Sequence, residues 1–168
     1  MTQDAVLNDI VIAQADLSDA ADGAAIVHLL DVYARDPMGG GVPLPADVKE
    51  RLVPALAQVP GAFVLLARLD GEPVGLANCF MGFSTFAARP LVNIHDVAVV
   101  PQQRGKGVAR ALFAAIEHEG RKRGACKVTL EVLSGNHRAK ALYAKLGYGD
   151  YQLDSESGHA LFWQKRFT

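Results

Sequence analysis

The sequence predicts an α/β fold with a mixed sheet that is mostly antiparallel and contains one parallel strand pair. Two β-rich runs flank Asp70-Gly71, a pair that accepts the positive φ angles of a tight turn. These runs predict two antiparallel strands, over 62–68 and 74–83. Two further runs, 91–100 and 125–133, are separated by a helical pattern, and this order predicts one right-handed parallel crossover.

Length and composition predict a single domain that covers residues 1–168. The chain fits the roughly 100 to 200 residues of one domain, and it contains no internal repeat, low-complexity tract or linker. Half of its residues are hydrophobic and its net charge is -1, which excludes the electrostatic signature of a nucleic-acid or acidic-membrane binder. Cys79 and Cys126 stand far apart without metal-ligand spacing, so neither a disulfide nor a metal site is expected.

The amino-terminal segment gives no sign of targeting. Residues 1–15 lack the basic and apolar regions of a signal peptide, and no apolar run approaches the roughly 20 residues that span a bilayer. The expected location is therefore the cytoplasm.

One strand, two helices and a loop are predicted before the hairpin. Weak alternation predicts the strand over 9–15, and Ser18 and Asp19 both offer N-caps for a helix that continues to about residue 35. Three consecutive glycines between two prolines predict a loop over 36–45. A short amphipathic helix over 46–58 follows.

The second half is predicted to hold a long helix and a closing hairpin. The helix extends over about 105–123 and ends at Gly124 after a basic turn. The hairpin pairs 148–153 with 160–167. The apolar stripe of the long helix consists of Val108, Ala111, Leu112, Ala115 and Ile116.

The turn that precedes this long helix has the chemistry of an anion site. Amide groups at a helix start have no intrahelical acceptor and lie at the positive end of the helix dipole. Gly105 and Gly107 carry no side chain, so a diphosphate can approach the backbone, and Arg104 and Lys106 add positive charge. A P-loop is excluded because glycine follows Lys106, and a Rossmann motif is disfavoured because Arg110 replaces its third glycine.

Two motifs carry a family resemblance. The first is the pattern [Gln/Arg]-x-x-Gly-x-[Gly/Ala] after a predicted strand, which is met by Gln102, Gly105 and Gly107. The second lies later in the chain. That second pattern is Asn136-x-x-Ala-x-x-x-Tyr143 on a helix, then Gly-Tyr. In these motifs the chain resembles the GNAT family of acetyl-coenzyme A-dependent N-acetyltransferases. The resemblance implies a mostly antiparallel sheet whose one parallel pair splays to admit the cofactor, flanked by about four helices.

The resemblance also implies which residues bind acetyl-coenzyme A. In the family, backbone amides of the glycine-rich loop hold the pyrophosphate, and the strand before that loop pairs its backbone with the pantetheine arm. Carried over by position, the cofactor-binding residues are Val97, Val99, Gln102, Arg104, Gly105, Lys106, Gly107, Val108, Ala109, Asn136 and Tyr143.

Three residues are candidates for proton transfer. Transfer in the family is direct, within a ternary complex, and a tyrosine in the position of Tyr143 protonates the departing thiolate. The amine must lose a proton before it attacks, and Glu131 and His95 each resemble, by position, a base of some branch of the family. Asp96 and a water chain remain alternatives. Because His95 and Asp96 are adjacent on a predicted strand, they are expected to face opposite sides of the sheet.

The layout of residues 83–97 and of the late Trp163 strand is similar to the diamine and thialysine acetyltransferase branch. The resemblance therefore implies transfer to a primary amine of a small molecule, such as a polyamine or an amino acid, by a homodimer without metal. Asp31 and Asp36 are candidate contacts for a cationic acceptor. The alternatives are a peptide N-terminal acetyltransferase and a non-catalytic acyl-coenzyme A sensor.

Overall fold

A computed structural model describes residues 10–152 and 154–167, which fall into two compact units that divide after Leu130. Asp9 and Leu153, at the ends of two predicted strands, lie outside the described residues. Within the described residues, the larger unit holds the sheet and three α-helices, and the smaller unit holds one α-helix.

The larger unit is built on a five-stranded mixed sheet. Its spatial order follows the chain, with antiparallel pairing between the first four strands and parallel pairing between the last two. The predicted mixed sheet is thus confirmed. The strands are β1 (Ile10–Gln14), β2 (Ala62–Leu69), β3 (Glu72–Ser84), β4 (Arg89–Val99) and β5 (Val128–Leu130).

The β2–β3 hairpin turns where the sequence predicts it. Asp70 and Gly71 both have positive φ angles, 52° and 85°, and they lie between the paired residues Leu69 and Glu72. Two positive φ angles in a two-residue turn match the right-handed twist of the adjoining strands.

Strand β5 is shorter than the predicted strand over 125–133. Before it, the amide of Ala125 donates to the carbonyl oxygen of Gly120, and the amide of Cys126 donates to the carbonyl oxygen of Pro90 in β4, outside the regular ladder. After Leu130 the ladder with β4 ends. The strand is therefore limited to the three residues that pair in register with β4.

The helices of the larger unit are α1 (Ala20–Arg35), α2 (Ala46–Leu56) and α3 (Val108–Lys122). Of the two predicted N-caps, Asp19 is the one that caps α1, because its carboxylate accepts a hydrogen bond from the amide of Asp22. The loop over 36–45 contains a single 3₁₀ turn, Pro37–Gly39, which the sequence analysis did not predict.

The helices of this unit cover opposite faces of the sheet. Leu29 of α1 and Leu56 of α2 join Leu76 of β3 in one buried core. The adjacent Gly75 faces the other way, where a Cβ atom would lie 3.1 Å from a methyl of Val108 in α3. Side chains alternate along a strand, so α1 and α2 cover one face and α3 covers the other.

The smaller unit contains α4 (His137–Lys145). The predicted closing hairpin is wrong in extent: its described residues form only an isolated antiparallel bridge between Gln152 and His159, beside one hydrogen bond from the Ala160 amide to the Tyr151 carbonyl. Across the described part of the chain, no helix is both long and apolar enough to cross a membrane.

Candidate active site

Strand β4 is longer than its parallel partner β5 and continues past Ile94 without it. The parallel ladder joins Val92 through Ile94 to β5, and β4 then continues to Val99. The amide of Val100 donates to the carbonyl of Val74 on β3 at 2.9 Å. Hydrogen-bonded pairs alternate along an antiparallel ladder, so the backbone groups of Val97 and Val99 point away from β3. They point toward the edge that β5 no longer covers.

The turn between β4 and α3 has two glycines in left-handed conformation. Gln102 lies in a 3₁₀ turn, Pro101–Gln103, after which Gly105 and Gly107 have φ angles of 77° and 92°. An α-helix requires φ near −63°, so α3 begins at Val108 rather than at about Gly105 as predicted. The two glycines therefore lie in the turn, directly before the helix.

The start of α3 is open to an anion. Gly107 is its N-cap without a side-chain hydrogen bond, and the first turn contains no acidic residue. A Cβ added at Gly105 or Gly107 would meet no described atom within 4 Å. The side chain of Val108 is buried at 1% exposure, so this residue offers only its backbone. Lys106 lies in the turn and Ala109 in the first turn of α3. An open helix start of this kind suits an anion.

Arg104 is engaged within the protein. Its Nε donates to the carbonyl of Val99 at 2.9 Å, and its guanidinium lies 2.8 Å from the carboxylate of Asp36. Asp36 in turn accepts a hydrogen bond from the amide of Met38. The ion pair therefore links the loop over 36–45 to the end of β4. Arg104 was predicted instead to add positive charge to the anion site.

Asp31 also has a structural partner. Its carboxylate lies 2.9 Å from Nζ of Lys49 and 3.0 Å from Nε of Arg35, and it accepts a hydrogen bond from the amide of Leu44. The Lys49 ammonium first, and then the Leu44 amide and Arg35, lower the pKa of Asp31 to about 2. The predicted contacts of Asp31 and Asp36 with a cationic acceptor are thus replaced by contacts with basic side chains of the chain itself.

We expect the Asp31 contacts to make stability depend on acidity. A carboxylate whose pKa is lower in the folded state stabilises the fold above the unfolded pKa of about 3.9, and this contribution is lost as the pH falls toward the folded value. Urea unfolding from pH 5 to pH 2 should therefore show a steeper loss for the wild type than for Asp31→Asn below about pH 4. Asp70→Asn, in the exposed hairpin turn, is the control. Equal slopes for the wild type and Asp31→Asn would contradict this expectation.

His95 and Asp96 lie at a β-bulge, which corrects the prediction that they face opposite sides. Asn78 pairs with Asp96 and Cys79 pairs with Ile94, so His95 is the extra residue. The ring of His95 packs edge-on against Phe80 at 5.7 Å, while the Asn78 amide donates to the Asp96 carboxylate at 3.0 Å. Asn78 and Phe80 are two residues apart on β3 and share one face, so both of their partners lie on that face.

Asn78 contacts the candidate residue Asp96 and was not predicted from the sequence. It is 4% exposed, and its Oδ1 has no hydrogen-bond partner among the described residues. A buried acceptor without a partner costs roughly 1–3 kcal/mol. The signal in the sequence was a single polar amide inside the apolar run of β3.

The remaining candidates lie in the smaller unit. Glu131 was predicted to lie on a strand, but it follows the last residue of β5. The side chain of Asn136 caps α4 by accepting a hydrogen bond from the amide of Ala139 at 3.1 Å. The helix thus begins at the residue that opens the second motif.

The Gly-Tyr pair ends α4 and holds Tyr143 in place. Gly147 has a φ angle of 89°, and its amide donates to the carbonyl of Ala144. The amide of Tyr148 donates to the carbonyl of Tyr143, which completes a Schellman motif. The rings of Tyr143 and Tyr148 are 6.5 Å apart. Gly147 and Tyr148 of the second motif therefore terminate α4, the helix that carries Tyr143.

The sequence matches a known protein family. Residues 27–148 match the model of the acetyltransferase (GNAT) family. The uncharacterized N-acetyltransferase YhfO of Bacillus subtilis (strain 168) is 29% identical over 82% of this chain and 88% of its own length. The thialysine N-epsilon-acetyltransferase of Bos taurus is 31% identical over 48% of this chain, which spans only 49% of that relative.

The fold has solved counterparts. The structure of the aminoglycoside N-acetyltransferase AAC(6')-Iy in complex with CoA has a TM-score of 0.70 at 20% identity, with 94% of this chain and 95% of that chain covered. The family match extends from α1 through the glycine-rich turn to the Gly-Tyr pair that ends α4. The chain therefore belongs to the GNAT family of acetyltransferases.

Proposed function

We propose that this acetyltransferase transfers the acetyl group of acetyl-coenzyme A to a primary amine of a small molecule, by direct attack within a ternary complex. The observation that carries the proposal is the uncapped start of α3, where Gly105 and Gly107 leave the backbone open to a diphosphate. A fold neighbour that was solved in complex with CoA supports it.

The residues of the larger unit fit the two parts of the cofactor. The amides from Gly105 to Ala109 would hold the pyrophosphate, and the outward backbone groups of Val97 and the outward amide of Val99 would pair with the pantetheine arm. When bound, acetyl-coenzyme A supplies an acetyl group activated as a thioester. Arg104 would act indirectly, because it holds the Val99 carbonyl and Asp36.

The reaction requires two proton transfers, one to the leaving thiolate and one from the attacking amine, and side chains would carry them out. We assign the protonation of the leaving thiolate, with a pKa near ~8.5 for a simple thiol, to the Tyr143 hydroxyl. Removing a proton from an amine with a pKa of ~10.4 costs about 4–5 kcal/mol at pH 7. His95, Glu131, Asp96 and a water chain are the candidates that accept this proton. Asn136 would add a contact to the cofactor beyond its capping role.

Relatives named for small-molecule acceptors support this part of the proposal, among them the matched Bos taurus protein, a thialysine N-epsilon-acetyltransferase. The chain spans only about half of that relative. A cytoplasmic homodimer that needs no metal remains the prediction for the protein as a whole.

A substrate screen tests the proposal. Thiol release from acetyl-coenzyme A should be measured with polyamines, amino acids, aminoglycosides and peptides with free N-termini. Turnover with at least one free small amine, and none with peptides, is the expected result. Turnover restricted to peptides would favour an N-terminal acetyltransferase, and tight cofactor binding without turnover on any amine would favour a sensor.

A further inference from the structure

We propose that the tip of the β3–β4 hairpin, residues 82–88, is the surface through which two copies of this chain associate, strand edge against strand edge. The tip lies in the larger compact unit, where β3 ends and β4 begins. The proposal goes beyond the proposed function, because it concerns assembly and not acetyl transfer. It gives the expected homodimer a definite interface.

The hairpin tip exposes two aromatic side chains. Phe86 is 100% exposed and Phe83 is 62% exposed. Phe83 alternates along β3 onto the same face as Gly75, which α3 covers. Gly120, in the last turn of α3, packs close to Val92, and the β3–β4 ladder continues from there to Phe83. The helix therefore ends before Phe83. Large apolar side chains exposed together mark an interaction surface.

The edge of β3 at Phe83 has no strand beside it among the described residues. The Met81 amide donates to the carbonyl of Gly61, which directly precedes β2, and the β2–β3 ladder begins with the pair Ala62–Phe80. Alternate residues of a strand direct their backbone groups to the same side. The N–H and C=O of Phe83 therefore point to the side that β2 leaves uncovered, where they offer a donor and an acceptor to another strand.

This edge is complementary to a second copy of itself. In an antiparallel ladder, the two residues of a hydrogen-bonded pair exchange both of their N–H···O bonds. Phe83 of one copy can therefore pair with Phe83 of another about a twofold axis, and the two rings then lie side by side on one face of a continuous sheet. Such an interface uses the same surface of both subunits, as twofold homodimers do.

Charge does not oppose the association. The segment 73–88 contains no charged residue. Exposed edges of monomeric proteins are commonly protected by charged side chains or proline, and residues 82–88 contain neither. The first charge after the tip belongs to Arg89, whose guanidinium donates to the carbonyl of Gly124 within the same chain at 3.2 Å. Two such edges can therefore approach without repulsion between like charges.

Phe86 has an apolar counterpart in the second copy. The turn that carries it is held by a hydrogen bond from the Ala87 amide to the Ser84 hydroxyl at 3.3 Å. With Phe83 on the twofold axis, Phe86 lies three residues past the axis and reaches the level of Phe80 of the second copy. That level is next to the turn before β2, where Val59 is 42% exposed. The ring of Phe86 can therefore pack on this side chain.

The available area predicts a reversible dimer. A phenylalanine side chain buries roughly 150–250 Å², so the exposed parts of Phe83 and Phe86 in two copies supply about 500–800 Å². Stable specific interfaces begin near about 1,200 Å² in total. The strand backbones and Val59 add to the aromatic area and bring the interface toward this lower limit. We therefore expect the dimer to dissociate on dilution.

Sedimentation velocity over a series of protein concentrations tests the proposal. The wild type should change from monomer to dimer as its concentration rises through the micromolar range. Phe83→Lys and Phe86→Lys each place a charge at the tip and should weaken association at least about 10-fold. Val11→Lys is the matched control, because Val11 is 58% exposed on β1, the strand at the end of the same sheet. It should dimerise as the wild type does.

Each outcome decides the proposal. A wild type that stays monomeric at every concentration, or wild-type association of Phe83→Lys, would overturn it. Loss of the dimer in Val11→Lys alone would also overturn it and place the interface on β1. If Phe83→Lys does not fold, Phe86→Lys decides, because a fully exposed side chain contributes little to folding.

Two further measurements separate this proposal from its alternatives. A monomeric wild type that binds phosphatidylcholine vesicles, with binding lost in Phe86→Lys, would assign the tip to a membrane surface and overturn the dimer. Thiol release from acetyl-coenzyme A, measured on the same variants, should remain at the wild-type rate in Phe86→Lys. Absence of turnover in every variant, with dimerisation as described, would overturn the proposed function and leave the interface supported.

Discussion

Replacement of Gly107 by glutamate is expected to abolish coenzyme A binding, with a loss of affinity of at least about 100-fold. Gly107 precedes α3 with a φ angle of 92°, a conformation that costs a side chain roughly 1–2 kcal/mol. The added carboxylate would also occupy the open space at the helix start, where it repels the diphosphate and takes the amides for itself. Isothermal titration calorimetry with coenzyme A measures this loss.

Gly124 supplies a matched control at the opposite end of the same helix. It has a φ angle of 73°, and an added Cβ there meets no described atom within 4 Å, as at Gly107. Gly124→Glu therefore introduces similar backbone strain and the same charge away from the proposed anion site. We expect Gly124→Glu to bind coenzyme A as the wild type does. Equal affinities for Gly107→Glu and the wild type would rule out the assigned role of the turn.

The second large effect is expected for Tyr143→Phe, which should lower kcat about 100-fold and leave coenzyme A affinity within about twofold of the wild type. The substitution removes only the hydroxyl that we assign to thiolate protonation. The phenylalanine ring can still pack against Tyr148, and the backbone hydrogen bond of the Schellman motif does not depend on the side chain. Steady-state kinetics and calorimetry together separate the two parameters.

Tyr151→Phe is the control for this experiment, since it removes a hydroxyl from an exposed tyrosine of the same compact unit. It should retain wild-type kcat. An unchanged kcat in Tyr143→Phe would exclude Tyr143 as the proton donor. A lower thermal stability with unchanged kcat would instead assign it a purely structural role at the end of α4.

Local patterns predicted the parts of the fold that depend on local interactions. The Asp70-Gly71 turn follows from the conformations that its two residues accept, and the existence and end of α3 follow from its apolar stripe and from Gly124. The start of α3 was predicted about three residues too early. Periodicity does not reveal that both Gly105 and Gly107 adopt positive φ angles, which no α-helix includes.

The faces of β4 could not be predicted from its own sequence. Alternation along the strand assigned His95 and Asp96 to opposite faces, but the bulge arises from the pairing of β4 with β3. The register of two strands depends on packing between segments that are distant in the chain. Asn78, which orients Asp96, was missed for the same reason.

Long-range ion pairs were also beyond prediction. Asp36 and Arg104 are separated by 68 residues, and no local pattern in the sequence joins them. From the sequence alone, Asp36 is expected at the acceptor and Arg104 at the phosphates, whereas the structure pairs them with each other. Such pairs form only when the fold brings their elements together, and the partner of a charged residue decides its role.

Titration of coenzyme A into the wild-type protein tests the central claim most directly, which is that the turn before α3 receives a diphosphate. The account predicts saturable one-to-one binding that inorganic pyrophosphate weakens by competition. Absence of heat and of any saturable signal with both coenzyme A and acetyl-coenzyme A would contradict it.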